Sequence, residues 1–135
     1  MASWDDVRRL ALALPESSER SSRGLASWSV REKQFVWERP LRPAEVSALG
    51  EDAPDGPILG ARVEHLGAKD ALLADDPAVF FTTAHFDGYA AILVRLERIA
   101  IDELDELIVE AWLSRAPKLL AKRYTDARPP SAHNL

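Results

Sequence analysis

The string His85-Phe86-Asp87-Gly88-Tyr89 brings an imidazole, a carboxylate and a phenol within five residues. Its Asp-Gly pair marks a turn between apolar runs, and such loops are where binding and catalytic groups collect. His85, Asp87 and Tyr89 could therefore line a ligand groove between a sheet and its helices. A plainer reading has Asp87 bonding its own backbone, Gly88 supplying positive φ, and Phe86 with Tyr89 covering the edge of the core. No nucleophile stands beside the string, so it carries no catalytic arrangement.

A second set of candidates is basic. Lys33, Arg39 and Arg42 lie in the N-terminal third, and Arg115, Lys118, Lys122 and Arg123 near the C-terminus. Positions 115, 118 and 122 share one side of a helix, and cations so arranged can meet the phosphates of DNA. The same cations near a helix C-terminus would also complement its dipole, as Asp102, Glu103, Asp105 and Glu106 do at the opposite end. Trp4, Trp28, Trp37 and Trp112 could stack on bases, but each fits the apolar side of an expected element, and core packing explains them better.

Other chemistries find no residues. The sequence lacks a Gly-rich phosphate loop, a nucleophile elbow and an H-E-x-x-H pair. The three histidines, His65, His85 and His133, have no partner at helical ligand spacing, and His85 with Asp87 would need remote ligands to hold a metal. No catalytic residue, metal or cofactor is expected. The absence of cysteine excludes disulfides, thiolate sites and a cysteine nucleophile.

The chain has 135 residues and a formal net charge of −5. That length suits one domain, and 47% hydrophobic residues can fill a core. Charge is uneven along it. Residues 1–42 hold 8 basic and 6 acidic side chains, residues 43–112 hold 4 and 15, and residues 113–135 hold 5 and 1. An acidic middle thus separates two basic ends, and nucleic-acid binding depends on whether those ends meet. The N-terminus is acidic where a signal peptide would be basic, and no apolar run is long enough to span a bilayer. A cytoplasmic protein without a membrane partner is expected.

Local patterning sets the helices and strands around these groups. Val7, Leu10, Ala11 and Leu14 fall on one helical face, capped by Ser3 and stopped by Pro15. Residues 16–23 form a polar, Ser-rich connector. Residues 25–30 and 34–38 form a hairpin, with Trp28 and Val30 on one face and Phe35 and Trp37 likewise on one face. Its turn, Arg31-Glu32-Lys33, has no glycine. Pro43 opens a short helix through Leu49, and Gly50 to Gly60 is a loop. Residues 58–65 form a third strand and 68–74 a short helix. Residues 79–83 and 90–96 are β-rich segments flanking the His85 loop. Ile101, Leu104, Leu107, Ile108, Ala111 and Trp112 trace an amphipathic helix with Asp102 at its N-cap, and Pro117 kinks it or opens a second one through Tyr124. The result is an α+β domain, an antiparallel sheet of about five strands flanked by N- and C-terminal helices, spanning residues 1–128 with a flexible tail at 129–135.

Four strings occur together in order: Asp6-Val-Arg-Arg-Leu-Ala-Leu-Ala-Leu-Pro15, the segment from Trp28 to Trp37, Phe80 to Tyr89, and Glu110 to Lys118. In this order and spacing the chain resembles the MmcQ/YjbR family of small bacterial proteins over nearly its whole length. The resemblance implies a compact α+β fold and a DNA-binding label, with no shared catalytic residues. The family's turn after Val30 usually carries Gly-Lys, where Glu32 precedes Lys33 here. Ala84 and Ala90 occupy places that are usually proline. Two functions are expected on these grounds. The first is a non-catalytic DNA-binding domain using Lys33, Arg39, Arg42, Arg115, Lys118, Lys122 and Arg123. The alternative is an adaptor for a protein or small-molecule ligand using the groove at His85, Asp87 and Tyr89.

Overall fold

A serine opens the first helix of the computed structural model, which describes residues 2–127. The Ser3 hydroxyl accepts the Asp6 N–H, and the Asp6 carboxylate accepts the Ser3 N–H at 2.9 Å, a reciprocal capping box. Helix α1 (Trp4–Leu12) buries Val7 and Ala11 as its period requires. The expected tail, with His133, lies outside the described residues.

Residues 17–22 form a strand rather than a connector. This β1 (Ser17–Ser22) pairs antiparallel with β2 (Leu25–Val30) from Ser17↔Val30 to Ser22↔Leu25. Its side chains are all polar, so it shows no hydrophobic alternation. What makes it a strand is the two-residue turn Arg23-Gly24, with φ of 54° and 79°, whose twist matches the flanking strands. Glu19 then fixes the strand to its neighbours, accepting from Trp28 Nε1 at 2.9 Å and from Arg8 at 2.7 Å.

The hairpin of β2 with β3 (Lys33–Glu38) forms as expected, and Arg31 and Glu32 in its turn have φ of 45° and 71°. Its faces differ from strict alternation. Trp28 opposes Val36 while Ser29 opposes Gln34, so Phe35 is an extra residue in the ladder. Such a bulge resets which way the following side chains point. Phe35 and Val36 both enter the main core, and Trp37 joins a different cluster.

Six strands form one antiparallel sheet in the order β1-β2-β3-β4-β6-β5, with β4 (Ile58–Arg62), β5 (Phe80–Phe81) and β6 (Ala91–Arg95) completing it. The α+β class holds, and the strand beyond the expected five is β1. The pairing of β5 with β6 agrees with the turn signal between them. Their connection is longer than a tight hairpin and contains a 3-10 turn at Ala84–Phe86.

One face of the sheet carries Leu59, Ala61, Ile92 and Val94 into the main core. Helix α4 (Ile101–Arg115) covers that face, lying across β2, β3 and β4 and against α1. Its stripe Leu104, Leu107, Ile108, Ala111 and Trp112 is buried. Ala100, not Asp102, occupies the N-cap, and the Asp102 carboxylate accepts the Glu103 N–H within the first turn. Pro117 opens the separate helix α5 (Lys118–Ala127), whose Tyr124 ring lies 5.0 Å from that of Trp112. Trp112 Nε1 also donates to the Pro15 carbonyl at 3.1 Å, tying the end of α1 to α4.

The opposite face holds a smaller cluster of Ile58, Phe81, Phe86, Ala91 and Leu93. Helix α2 (Pro43–Leu49) and the 82–89 loop border it, whereas α3 (Leu66–Asp75) packs beside β5 and β6 and lays Ala68, Leu72 and Leu73 against the main core. Among the described residues no helix is long and apolar enough to cross a membrane.

Candidate functional site

Antiparallel pairing brings the start of β3, the end of β4 and the start of β6 to one end of the sheet, since Arg62 pairs with Ala91 and Ala61 with Val36. Gln34, Arg62 and Ala91 occupy those three ends and line a cleft of about 360 Å³. His85, Phe86 and Tyr89 wall it from the loop, and Trp37 and Arg115 complete it. The β3 bulge puts Gln34 and Trp37 in this cleft together while Phe35 and Val36 go to the core.

Trp37 depends on a glycine. A Cβ at Gly60 would run into the indole ring, so the bare backbone of β4 is what lets the ring lie against the sheet.

The loop is held from beneath by a buried lysine. Lys69 of α3 is 5% exposed, and its ammonium donates to the carbonyls of Phe86 at 2.6 Å and Tyr89 at 3.1 Å. Burial lowers its pKa from the ordinary lysine value, while the charges of Asp87 and Asp70 act the other way. With the backbone fixed, His85 and Tyr89 remain exposed, and the His85 ring stands edge-on to Phe86 at 4.9 Å. Tyr89 is 59% exposed, so it walls the cleft instead of covering the core edge.

The cleft's charge is unusual. The Nε atoms of Arg62 and Arg115 are buried with no hydrogen-bond partner, and among the described residues neither guanidinium has a carboxylate partner. Burial, then the nearby Arg115 charge, lowers the Arg62 pKa below the usual arginine value. A buried donor left unsatisfied costs about 1–3 kcal/mol, and two such donors on like charges add repulsion.

The sequence-derived candidates are divided by the fold. His85 and Tyr89 share the cleft, while Asp87 lines a neighbouring groove of about 510 Å³ with Arg42, Glu45 and Thr83. His85 borders both. Arg39 is committed internally: it pairs with Glu45 through bonds of 2.9 and 2.8 Å and lies 5.2 Å over the Phe86 ring. Lys33 is exposed at the hairpin turn, next to Gln34. Lys118, Lys122 and Arg123 are exposed on α5, with Lys122 3.5 Å from Asp126.

Arg62, Lys69, Trp37 and Gln34 escaped the sequence reading of the site. Arg62 had a signal, a cation closing the otherwise apolar strand Ile58–Ala61. Lys69 had a weaker one, lying among Ala68, Ala71 and Leu72. Among the described residues no group of three or more His, Cys, Asp or Glu side chains could hold a metal ion.

The family model for YjbR matches residues 12–114, a span running from the end of α1 through nearly all of α4. This chain belongs to the YjbR family. The match takes in the whole sheet and every residue of the cleft except Arg115, which follows it directly. The uncharacterized protein Rv2570 of Mycobacterium tuberculosis is 49% identical to this YjbR chain over 127 residues, covering 92% of this chain and 96% of its own length. The uncharacterized protein Mb2600 of Mycobacterium bovis matches equally, at 49% identity over 127 residues. The YjbR fold here is also similar to the crystal structure of Deinococcus radiodurans protein DR2400, described as a DUF419 domain. That match has a TM-score of 0.65 and 17% identity and covers 93% of this chain and 89% of that one. At that identity the likeness concerns the fold.

Proposed function

We propose that this YjbR-family chain is a non-catalytic binding protein whose site is the cleft between the His85–Tyr89 loop and the strand ends. The observation that carries the reading is a pair of exposed polar rings, His85 and Tyr89, on a loop anchored by Lys69 and facing two unpaired cations. Preformed concavities with a few convergent polar groups are where small ligands bind. Catalysis is poorly supported by the same lining. It contains no carboxylate and no Ser, Thr or Cys, so within the cleft His85 meets neither a nucleophile to activate nor an acid to orient it.

Thermal melting against a panel of small polar metabolites tests this. A hit is expected to raise the Tm of the wild-type protein, as any ligand selective for the folded state does. His85→Ala and Tyr89→Ala should abolish the rise while leaving the unliganded Tm within a degree or two, because both side chains are exposed. A rise that survives both substitutions places the ligand elsewhere and defeats the reading.

A second reading, binding to the DNA backbone, has one observation in its favour. Gln34, adjacent to Lys33, and Arg115, three residues before Lys118, line the same cleft, so the two basic ends approach each other there. Arg39 weighs against it because its guanidinium is already paired. If Lys33, Arg115 and Lys118 contact phosphates, the slope of log K against log salt should be about −3, and Lys33→Gln should make it shallower by about 1. Absent or salt-insensitive binding removes this reading.

A further inference from the structure

We infer that the cleft's ligand carries an oxyanion, a phosphate or carboxylate, attached to a planar ring, and that Arg62 and Arg115 hold that oxyanion between them. This rests on the cleft being the binding site, and it names what the cleft binds.

The folded protein leaves two of its arginines badly accommodated. Arg62 ends β4 and Arg115 ends α4, two elements on different layers of the fold. The sheet end and the helix end converge so that both guanidiniums line one cleft. Each has its Nε in the interior without an acceptor. The acidic residues are numerous enough to have supplied one, and the exposed arginines show it: Arg8 pairs with Glu19 and Arg31 with Glu16. In the cleft, by contrast, no carboxylate lines the wall. Two cations kept together and kept unpaired are in the condition that an incoming anion relieves. It would accept guanidinium N–H donors at the cleft wall, cancel the repulsion, and gain the bidentate geometry that planar guanidiniums offer to phosphate and carboxylate.

The rest of the wall describes what is attached to the anion. Trp37 is held flat against β4 by the absence of a Cβ at Gly60. Phe86 lies beside it, with ring centroids 6.4 Å apart. A planar ring on the ligand can stack on such a surface. Gln34, His85 and Tyr89 leave donors and acceptors free at the mouth for substituents. A volume of about 360 Å³ accommodates one ring with its oxyanion and excludes a bulky polymer from the floor.

The test is a titration of the intact protein with phenyl phosphate, benzoate, inorganic phosphate and the neutral analogue benzyl alcohol, followed by melting temperature and by the Arg Nε–H resonances. Phenyl phosphate and benzoate should raise Tm and shift two Arg Nε–H resonances, inorganic phosphate should do so more weakly, and benzyl alcohol should do neither. Arg62→Gln and Arg115→Gln should each weaken phenyl phosphate binding by about 10- to 100-fold, and Arg62→Lys should retain part of it. Without ligand, Arg62→Gln should melt about 3 °C higher than wild type, because a repelling, unsatisfied cation has gone. That last effect is opposite in sign to the loss of a structural arginine. Duplex DNA that displaces phenyl phosphate with the same arginine dependence also supports the oxyanion site, and identifies the backbone as its source.

The inference is overturned if neither anion moves the Arg Nε–H resonances, or if anion binding is equal in wild type and both glutamine variants. It is overturned alone, with the cleft still a binding site, if a neutral compound raises Tm in a His85-dependent way while the anions do not.

Discussion

Glu45 illustrates how much one side chain can hold at the edge of a binding surface. Its carboxylate accepts two bonds from Arg39, one from the Arg42 backbone N–H at 2.9 Å and one from the Thr83 hydroxyl at 3.0 Å. Together these tie α2 to the segment that begins the cleft loop. The Arg39 bonds above all hold the Glu45 carboxyl at a pKa of about 2, against an ordinary value of 4.5. A depressed carboxylate stabilises the fold fully above pH 4.5 and loses that contribution as pH falls towards about 2. Acid unfolding of the wild-type protein should therefore steepen across that window. Glu45→Gln should cost about 2 kcal/mol at neutral pH and flatten the curve there, which urea midpoints measured from pH 2 to 7 will resolve. At this scale the sequence pointed to the His85–Tyr89 loop, and the fold places His85 and Tyr89 on the wall of one cleft. It did not reveal Arg62 or Lys69, because what matters is that Arg62 has no carboxylate partner and that Lys69 is buried against the loop carbonyls. That is a property of three-dimensional neighbours, and residue spacing does not carry it.

At the scale of elements, two-residue turns with positive φ shape the N-terminal half of the sheet. Arg23-Gly24 uses a glycine for the second position, whereas Arg31-Glu32 places two ordinary L-residues there. Each non-glycine residue held left-handed costs about 1 kcal/mol. Glu32, at φ 71°, has only an exposed contact of 3.5 Å with Arg20 to lose. Glu32→Gly should accordingly raise stability by about 0.5–1 kcal/mol, read as a higher urea midpoint with unchanged slope. Arg31 is a poorer place for the same change because its guanidinium bonds Glu16 at 2.7 and 3.0 Å. Helices α1 and α4 were legible from apolar periodicity, α2 and, as one of two readings, α5 from Pro43 and Pro117, and β2, β3, β4, β5 and β6 from β-rich runs. Strand β1 was not, since its cohesion comes from backbone pairing and from Glu19, whose value depends on Trp28 and Arg8 standing opposite it.

Taken whole, the molecule is an open sheet with unequal faces. The face under α1 and α4 carries the main core, and the other carries five buried residues with Trp37, Leu41 and Leu49 against them. Regions with fewer buried apolar contacts open at lower free energy. Amides of α2 and of the 84–89 loop should exchange with solvent well before those of α4 and β4. An anion in the cleft should slow exchange in the loop more than in α4, and hydrogen-exchange mass spectrometry will separate the two. The division into faces was only partly legible, because strict alternation assigns Phe35 and Trp37 to one side. The bulge works as a phase shifter on β3: it lets a single strand keep time with two different surfaces, core at the step and cleft on either side of it. Were Phe35 paired in the ladder instead of bulged, strict alternation would carry Gln34 to the face of Val36 and away from the cleft, and send the phenyl ring out of the interior to the side of Trp37. The frame of this strand, more than the identity of any one of its residues, links what stabilises the protein to what it can bind.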